Sequence, residues 1–220
     1  MLLGIDTCGT VGTVALATRT DSALKIIGQL ELAAKKNSAE LLIPQIRALL
    51  AAHGVSLQQL EALVVVRGPG SFTGVRIGLS TAKGLAEALD KPVTAVSRLA
   101  VLAHAAHAQA AAIDAGRGEF YFGEYANGLA EEALLTRKQL ADHAASLGAE
   151  LAVFEETLQS AFPRARLVAP PTAADALHLA LPRVLASDFD DPALLDANYL
   201  RRSDAEIFAK QKSPVEDSHP

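Results

Sequence analysis

The densest chemical signal in the chain is Gly68-Pro-Gly-Ser-Phe-Thr-Gly-Val-Arg-Ile-Gly78. It follows an apolar run, Leu60 to Val66, that reads as a strand buried on both faces, and it opens a helix expected over Thr73 to Leu89. A strand passing through a glycine-rich turn into a helix aims free backbone N–H groups at one point, which suits an anion. No Gly-Lys-Ser/Thr closes the stretch, so it is not a Walker A loop. Gly68, Gly70, Ser71 and Thr73 are therefore candidate anion or nucleotide contacts, joined by Asp6 and Thr7 at the end of the first apolar run. The competing reading is structural. Gly68 and Gly70 make a turn, Thr73 caps the helix, Phe72 anchors a core or an interface, and Asp6 is a turn-former.

Asp6-Thr7-Cys8-Gly9-Thr10 resembles the strand-turn-strand that carries an acidic residue at the phosphate end of actin-like ATPase folds. Other chemistry is sparse. The six histidines are His53, His104, His107, His143, His178 and His219. None sits in an HExxH, and His104 and His107 share a helical face with no carboxylate beside them in sequence. There is no Gly-x-Ser-x-Gly elbow. The single Cys8 cannot form an internal disulfide, and no cysteine cluster is available for zinc. No metal ligand set and no catalytic constellation is expected.

Two helices must position the loop. The first, expected over Asn37 to His53 with Asn37 and Glu40 as a capping box, places Leu42, Ile46, Leu49 and Leu50 on one face. Leu41 and Ile43 lie off that face, Pro44 lies inside and Gly54 ends the helix. The second carries Gly74, Gly78 and Ala82 four residues apart. Such a stripe of small residues lets another backbone approach closely. Val75, Leu79 and Leu85 lie beside it. Helices apolar over more than one face are core or interface, so these ten positions are candidate partner-interface or dimer-interface residues.

The surrounding pattern is α/β. Leu2–Thr7, Val11–Ala17 and Leu24–Leu32 read as an antiparallel meander. Val93 to Val96 is a further buried strand, Leu99 to Ala108 an Ala-rich helix, and the two runs flanking Gly116-Arg-Gly118 a hairpin. Beyond residue 130 the pattern weakens. A helix is expected over Arg137 to Leu147, a strand over Glu150 to Phe154 and a helix over Ala173 to Ala186. No tandem repeat of fixed period is visible.

The 220 residues are 50% apolar, with mean hydropathy +0.22, which is enough for a sizeable core. Net charge is −5, against tight nucleic-acid binding by this chain alone. The charge is uneven: residues 1–100 hold ten Lys/Arg and seven Asp/Glu, residues 101–220 ten and eighteen. Asp6 interrupts the N-terminal apolar run too early for a signal peptide, and no run of transmembrane length exists. A cytoplasmic protein is expected.

Taken together, Leu3-Gly-Ile-Asp-Thr7, Asn37-Ser-Ala-Glu-Leu-Leu-Ile-Pro44, the loop and helix from Gly68 to Ala86, Asp114-Ala-Gly-Arg-Gly-Glu-Phe-Tyr121 and Asn198-Tyr-Leu-Arg-Arg-Ser-Asp-Ala-Glu206 resemble the bacterial TsaB (YeaZ) family. The resemblance implies a two-lobe, actin-like and RNase H-like α/β fold. It implies a non-catalytic partner in making N6-threonylcarbamoyladenosine at position 37 of tRNAs that read codons beginning with A. The implied partners are the paralogous transferase TsaD, the ATPase TsaE, a second copy of the chain when alone, and tRNA within the complex. No membrane is involved. ATP and metal are implied to belong to the partner subunits, with no cofactor on this chain.

The catalytic paralog carries a His-x-x-x-His where this chain has Arg98 and Leu102, and neither can act as an imidazole ligand. Asn37 stands where the family usually has His, and Cys8 where it has Ser. The expected division is an N-terminal lobe over residues 1–100 completed by 196–211, a smaller lobe over 101–195, and a disordered tail over 212–220. The alternative function is an ATP-dependent kinase or ATPase of the same fold. It needs a second phosphate loop in the C-terminal half, where no Asp-Gly-Gly-type loop is found. A metallohydrolase is the third reading, weakened by the missing histidine register.

Overall fold

A computed structural model describes residues 1–20, 23–32, 38–126, 130–146 and 151–201. The first sheet holds β1 (Leu2–Asp6), β2 (Gly12–Arg19), β3 (Leu24–Leu32), β4 (Ala62–Val66) and β5 (Val93–Val96), in the order β3-β2-β1-β4-β5. The first three are antiparallel, and β4 and β5 run parallel to β1. β1 and β4 are buried at every residue, as their continuous apolar sequences demand of strands covered on both faces.

Alternation along β1 shows what covers each face. A Cβ built on Gly4 would stand 2.9 Å from Leu177 Cγ of α6 (Ala173–Leu185), whereas Ile5 points to Gly78 of α2 (Phe72–Leu89). α1 (Ser38–Ala52) lies beside α2 and packs on β2 and β3. It contributes Leu42, Ile46, Leu49 and Leu50 to the core. Asn37, its expected cap, lies outside the described residues. The α2 cap is Ser71, whose side chain accepts from Gly74 N at 3.2 Å, two residues before the expected Thr73.

The second sheet repeats the topology of the first. β6 (Ala110–Gly116), β7 (Glu119–Glu124) and β8 (Glu131–Thr136) are antiparallel, and β9 (Leu151–Val153) and β10 (Arg166–Leu167) run parallel to β6. The order is β10-β9-β6-β7-β8. Ala110 and Ala112 pack with Phe120, Phe122, Leu140 of α4 (Arg137–Ser146) and Leu158 of α5 (Glu156–Ala161). On the opposite face, Ala111 and Ile113 meet Leu99 and Leu102 of α3 (Arg98–Ala105). Two sheets of one topology, each flanked by helices, make the two-lobe actin-like, RNase H-like architecture.

Packing does not follow chain order. α3 leaves the first sheet and covers the second, whereas α6 leaves the second and covers the first, and the two helices touch. The division expected at residue 100 cuts across this exchange. Residues 195–198 return to the first lobe: Lys83 Nζ donates to the Leu195 carbonyl at 2.9 Å, and Asn198 N to that of Arg67 at 2.8 Å. Residues 202–220, with most of the expected completing segment and the whole tail, lie outside the described residues.

The small-residue stripe of α2 packs on its own lobe. A Cβ on Gly74 would overlap the Thr7 carbonyl oxygen, and one on Gly78 the Thr7 hydroxyl. Gly84 on the outer side meets nothing within 4 Å. Gly74→Ala is therefore expected to lower stability by about 1–3 kcal/mol through overlap with fixed backbone. Gly84→Ala should raise it by up to about 1 kcal/mol through helix propensity. Thermal melts of the two variants check the opposite signs.

Candidate functional site

Parallel β1 and β4 end side by side, with Ile5 paired to Val65. The turn after β1 and the loop after β4 therefore meet at the carboxyl ends of the strands, where open α/β sheets bind ligands. Here the two segments are packed into one another. A Cβ on Gly70 would overlap the Cys8 carbonyl oxygen. Ser71 N donates to that oxygen at 2.8 Å, Val75 N to the Ser71 carbonyl at 2.8 Å, and Arg98 N to the Gly68 carbonyl at 2.7 Å. Thr7 Oγ1 donates to the Gly74 carbonyl at 2.6 Å. The amides of Ser71, Gly74 and Val75 are thus donated within the chain, and Gly68, with φ of 100°, shapes the turn. The loop expected to cradle an anion closes on the β1–β2 turn.

Asp6 is 2% exposed, and its Oδ1 accepts from Cys8 N at 2.8 Å, an Asx-type turn. Burial pushes its carboxyl above the ordinary 3.8, and the nearby Arg98 guanidinium pulls it back down. Burial and Asp6 hold the Cys8 thiol well above 9.0, and Sγ donates to the Val66 carbonyl at 3.3 Å. A protonated, buried thiol is a packing group, not a nucleophile.

Arg98 occupies the junction of the lobes. It is 6% exposed, its Nη1 donates to the Cys8 carbonyl at 3.4 Å, and its guanidinium carbon lies 5.2 Å from the Phe154 ring centroid in the second lobe. Glu155 next to that ring accepts from Asp114 N at 3.2 Å. Burial raises the Glu155 carboxyl above its ordinary 4.5, and Arg98 again opposes the shift. Leu102, at the second position where the paralog has histidine, is fully buried. His104 and His107 are exposed on and just past α3. Among the described residues no group of three or more His, Cys, Asp or Glu side chains is placed to hold a metal.

The candidate interface residues lie mostly inside the protomer. Leu42, Ile46, Leu49, Leu50, Val75, Leu79 and Ala82 belong to the first lobe's core, Leu85 packs against it, and Gly74 and Gly78 face Thr7. They hold α1 and α2 to their sheet, and only Gly74 and Leu85 among them keep partial exposure. Among the outward residues are Ile43 (39% exposed), Pro44 and Ala48 on α1, and Ser80, Gly84 and Ala88 on α2. The signal for them in the sequence was Ile43 standing off the main stripe. Sequence reasoning also missed Tyr199, whose ring lies beside Phe72.

Arg98 is the cation that offsets a buried carboxyl, Asp6, and a half-buried one, Glu155. Removing it raises both carboxyl values further in the folded state, and a raised carboxyl stabilises the fold at low pH and loses that contribution as pH rises through the folded value. Arg98→Ala should therefore cost about 3 kcal/mol or more at pH 7. The cost should shrink toward pH 4, where Asp6 and Glu155 take up protons. Urea denaturation at the two pH values checks the sign.

Comparison with known proteins agrees with this architecture. Residues 25–187 match the family model described as TsaD, tRNA N6-adenosine threonylcarbamoyltransferase. The tRNA threonylcarbamoyladenosine biosynthesis protein TsaB of Haemophilus influenzae is 40% identical over 129 residues, 56% of this chain and 52% of that protein. TsaB of Bacillus subtilis is 39% identical over 137 residues, 60% and 58% of the two chains. The alignments thus span little more than half the length of these relatives. A crystal structure from Pseudomonas aeruginosa, described by its similarity to the peptidase YEAZ, superposes with a TM-score of 0.72 at 33% identity, covering 91% of this chain and 99% of that one. On that breadth of match, the chain belongs to the TsaB (YeaZ) family and carries the TsaD-type domain that the family model describes.

Proposed function

We propose that the chain is a non-catalytic subunit of the machinery that makes N6-threonylcarbamoyladenosine at position 37 of tRNAs reading ANN codons. In this reading it pairs with the TsaD transferase, acts with the TsaE ATPase and leaves ATP and metal to those partners. The observation that carries the reading is Arg98. Its guanidinium fills the junction of the lobes between Cys8 and Phe154, at the position that holds an imidazole in the resembling catalytic paralog. A buried guanidinium is always charged and donates without accepting. It can serve neither as metal ligand nor as general base there.

Pairing then falls to the outer faces of α1 and α2. Ser80, Gly84 and Ala88 recur every fourth residue and are exposed, giving a second stripe of small residues on the side of α2 facing away from the sheet. A partner helix could approach closely along it, flanked by Ile43, Pro44 and Ala48. The same surface would serve self-association when no transferase is present, because an isologous contact needs only a self-complementary patch.

Light scattering of the chain, alone and mixed with the TsaD transferase of the same organism, tests the reading. A heterodimer is expected, weakened at least tenfold by Gly84→Arg and retained by Gly84→Ala. Loss of pairing with an unchanged melting temperature would place the surface on the outer side of α2. Absence of a heterodimer at micromolar concentration, together with saturable ATP binding by the chain alone, would favour the ATPase or kinase alternative.

A further inference from the structure

A cleft of about 440 Å³ opens between the loop after β4, the β6–β7 hairpin and the segment after residue 197. Phe72, Tyr199 and Arg201 are among the residues lining it. The described part of the chain ends at that wall. Arg201 is fixed there, donating to the Glu119 carboxylate at 2.6 Å and to the Gly116 carbonyl at 3.1 Å. The remaining residues, 202–220, therefore leave from a held point on the cleft.

The chain has seven Phe, three Tyr and no Trp. Among the described residues the only large aromatic side chains that stay exposed are Phe72, at 49%, and Tyr199, at 43%. Their ring centroids lie 5.4 Å apart, with planes inclined by 35°. Arg76 covers part of the pair: its guanidinium carbon stands 3.3 Å from the Phe72 centroid and 5.4 Å from that of Tyr199. This stack orders both rings in advance, and ordered groups lose little further entropy on being covered. Leaving them in water forgoes burial worth about 1.5–3 kcal/mol for a ring such as Phe. A pre-ordered apolar platform at one opening calls for an apolar cover.

The chain itself supplies one within reach. Beyond residue 201 its large apolar side chains are Ile207, Phe208 and Val215, and only Ile207 and Phe208 are adjacent. Ile207 is six residues past Arg201, a reach of up to about 20 Å at roughly 3.3–3.6 Å per residue. The rings stand on the same cleft as Arg201. A tether that short holds the pair at an effective concentration of about millimolar, so even weak apolar contact is well occupied. We propose that the chain covers its own opening: residues 202–208 fold back along the cleft and lay Ile207 and Phe208 over the Phe72 and Tyr199 rings. A second copy or another protein must reach the rings from solution, in competition with the tethered pair. The inference stands on these side chains alone and does not depend on pairing with a transferase.

Because the chain has no Trp, Phe208→Trp in the full-length chain places a single indole at the docking position. Its emission should be shifted to the blue of a free peptide of residues 202–220 carrying the same substitution, and acrylamide should quench it less. Phe72→Ala combined with Tyr199→Ala should return both readings to those of the peptide. Tyr199→Phe keeps the ring and should leave them unchanged. Melting temperatures control for folding, and Tyr199→Ala alone carries the test if the double variant melts early. A second reporter needs no indole: Ile207→Ser with Phe208→Ser should raise binding of an apolar dye above that of the parent, and adding Tyr199→Ala should reduce the increase. The proposal is overturned if the indole is as exposed as in the peptide or if the ring variants leave it protected. It is also overturned if protection appears only as concentration and molecular mass rise together, which assigns the cover to a second copy.

Discussion

The first lobe depends on one close approach, that of the Thr7–Cys8 backbone to the glycines of the β4–α2 loop and of α2. At Gly70, Gly74 and Gly78 a Cβ would occupy space already filled by Thr7 or Cys8. Hydrogen bonds to the Cys8 carbonyl and from the Thr7 hydroxyl require that proximity. The consequence is chemical as well as structural. The Ser71 amide is donated to the Cys8 carbonyl of the neighbouring turn and those of Gly74 and Val75 to Ser71 itself, so the glycine pattern serves packing at these positions. Small residues are permissive of any close neighbour, and here the neighbour is the chain itself.

A second constraint follows at the lobe junction. Two sheets of the same topology exchange their last helices, so α3 and α6 tie the lobes together. Arg98 begins α3 and thus stands where the first lobe's turn meets the second lobe's Phe154 and Glu155. A buried cation is tolerable only with compensation. It finds the Cys8 carbonyl, the field of Asp6 and Glu155 and the face of a ring. The carboxyls in turn are tolerable because Arg98 is there. One guanidinium thus stands between two carboxyls at the centre of the molecule and opposes the upward shift of both.

Much of this was legible in the sequence, and the gaps have physical causes. The continuous apolar run of β4, the Gly116-Arg-Gly118 hairpin and the amphipathic helix after Gly70 each carry a strong local signal. β8 begins with two glutamates at the sheet edge, β10 has two residues and α5 six, so none offers enough periods to read. The destination of α6 was illegible because which sheet a helix covers is a tertiary fact. The same limit affected the interface. Periodicity marked Leu42, Ile46 and the Gly74–Gly78–Ala82 stripe as helix faces needing a partner, but their own sheet supplied it. Arg98 was legible as a departure from a histidine position, though not as the residue bridging the lobes.

The aromatic cleft shows why exposure carries more information than pattern. Phe72 lies in a motif whose neighbours are almost all committed to packing, and Tyr199 lies more than a hundred residues later in a segment with little pattern. Only the fold brings them within 5.4 Å of one another, under a guanidinium from the exposed side of α2. Both remain open to water beside a cavity. Packing on Thr7 and Cys8 accounts for Gly70 and Gly74 on either side of Phe72, and the Phe72 ring itself lies against the Arg76 guanidinium and the Tyr199 ring. The loop thus divides its work: its glycines lock the turn, and its single aromatic is held at the mouth of a cleft between the lobes, against the Arg76 guanidinium.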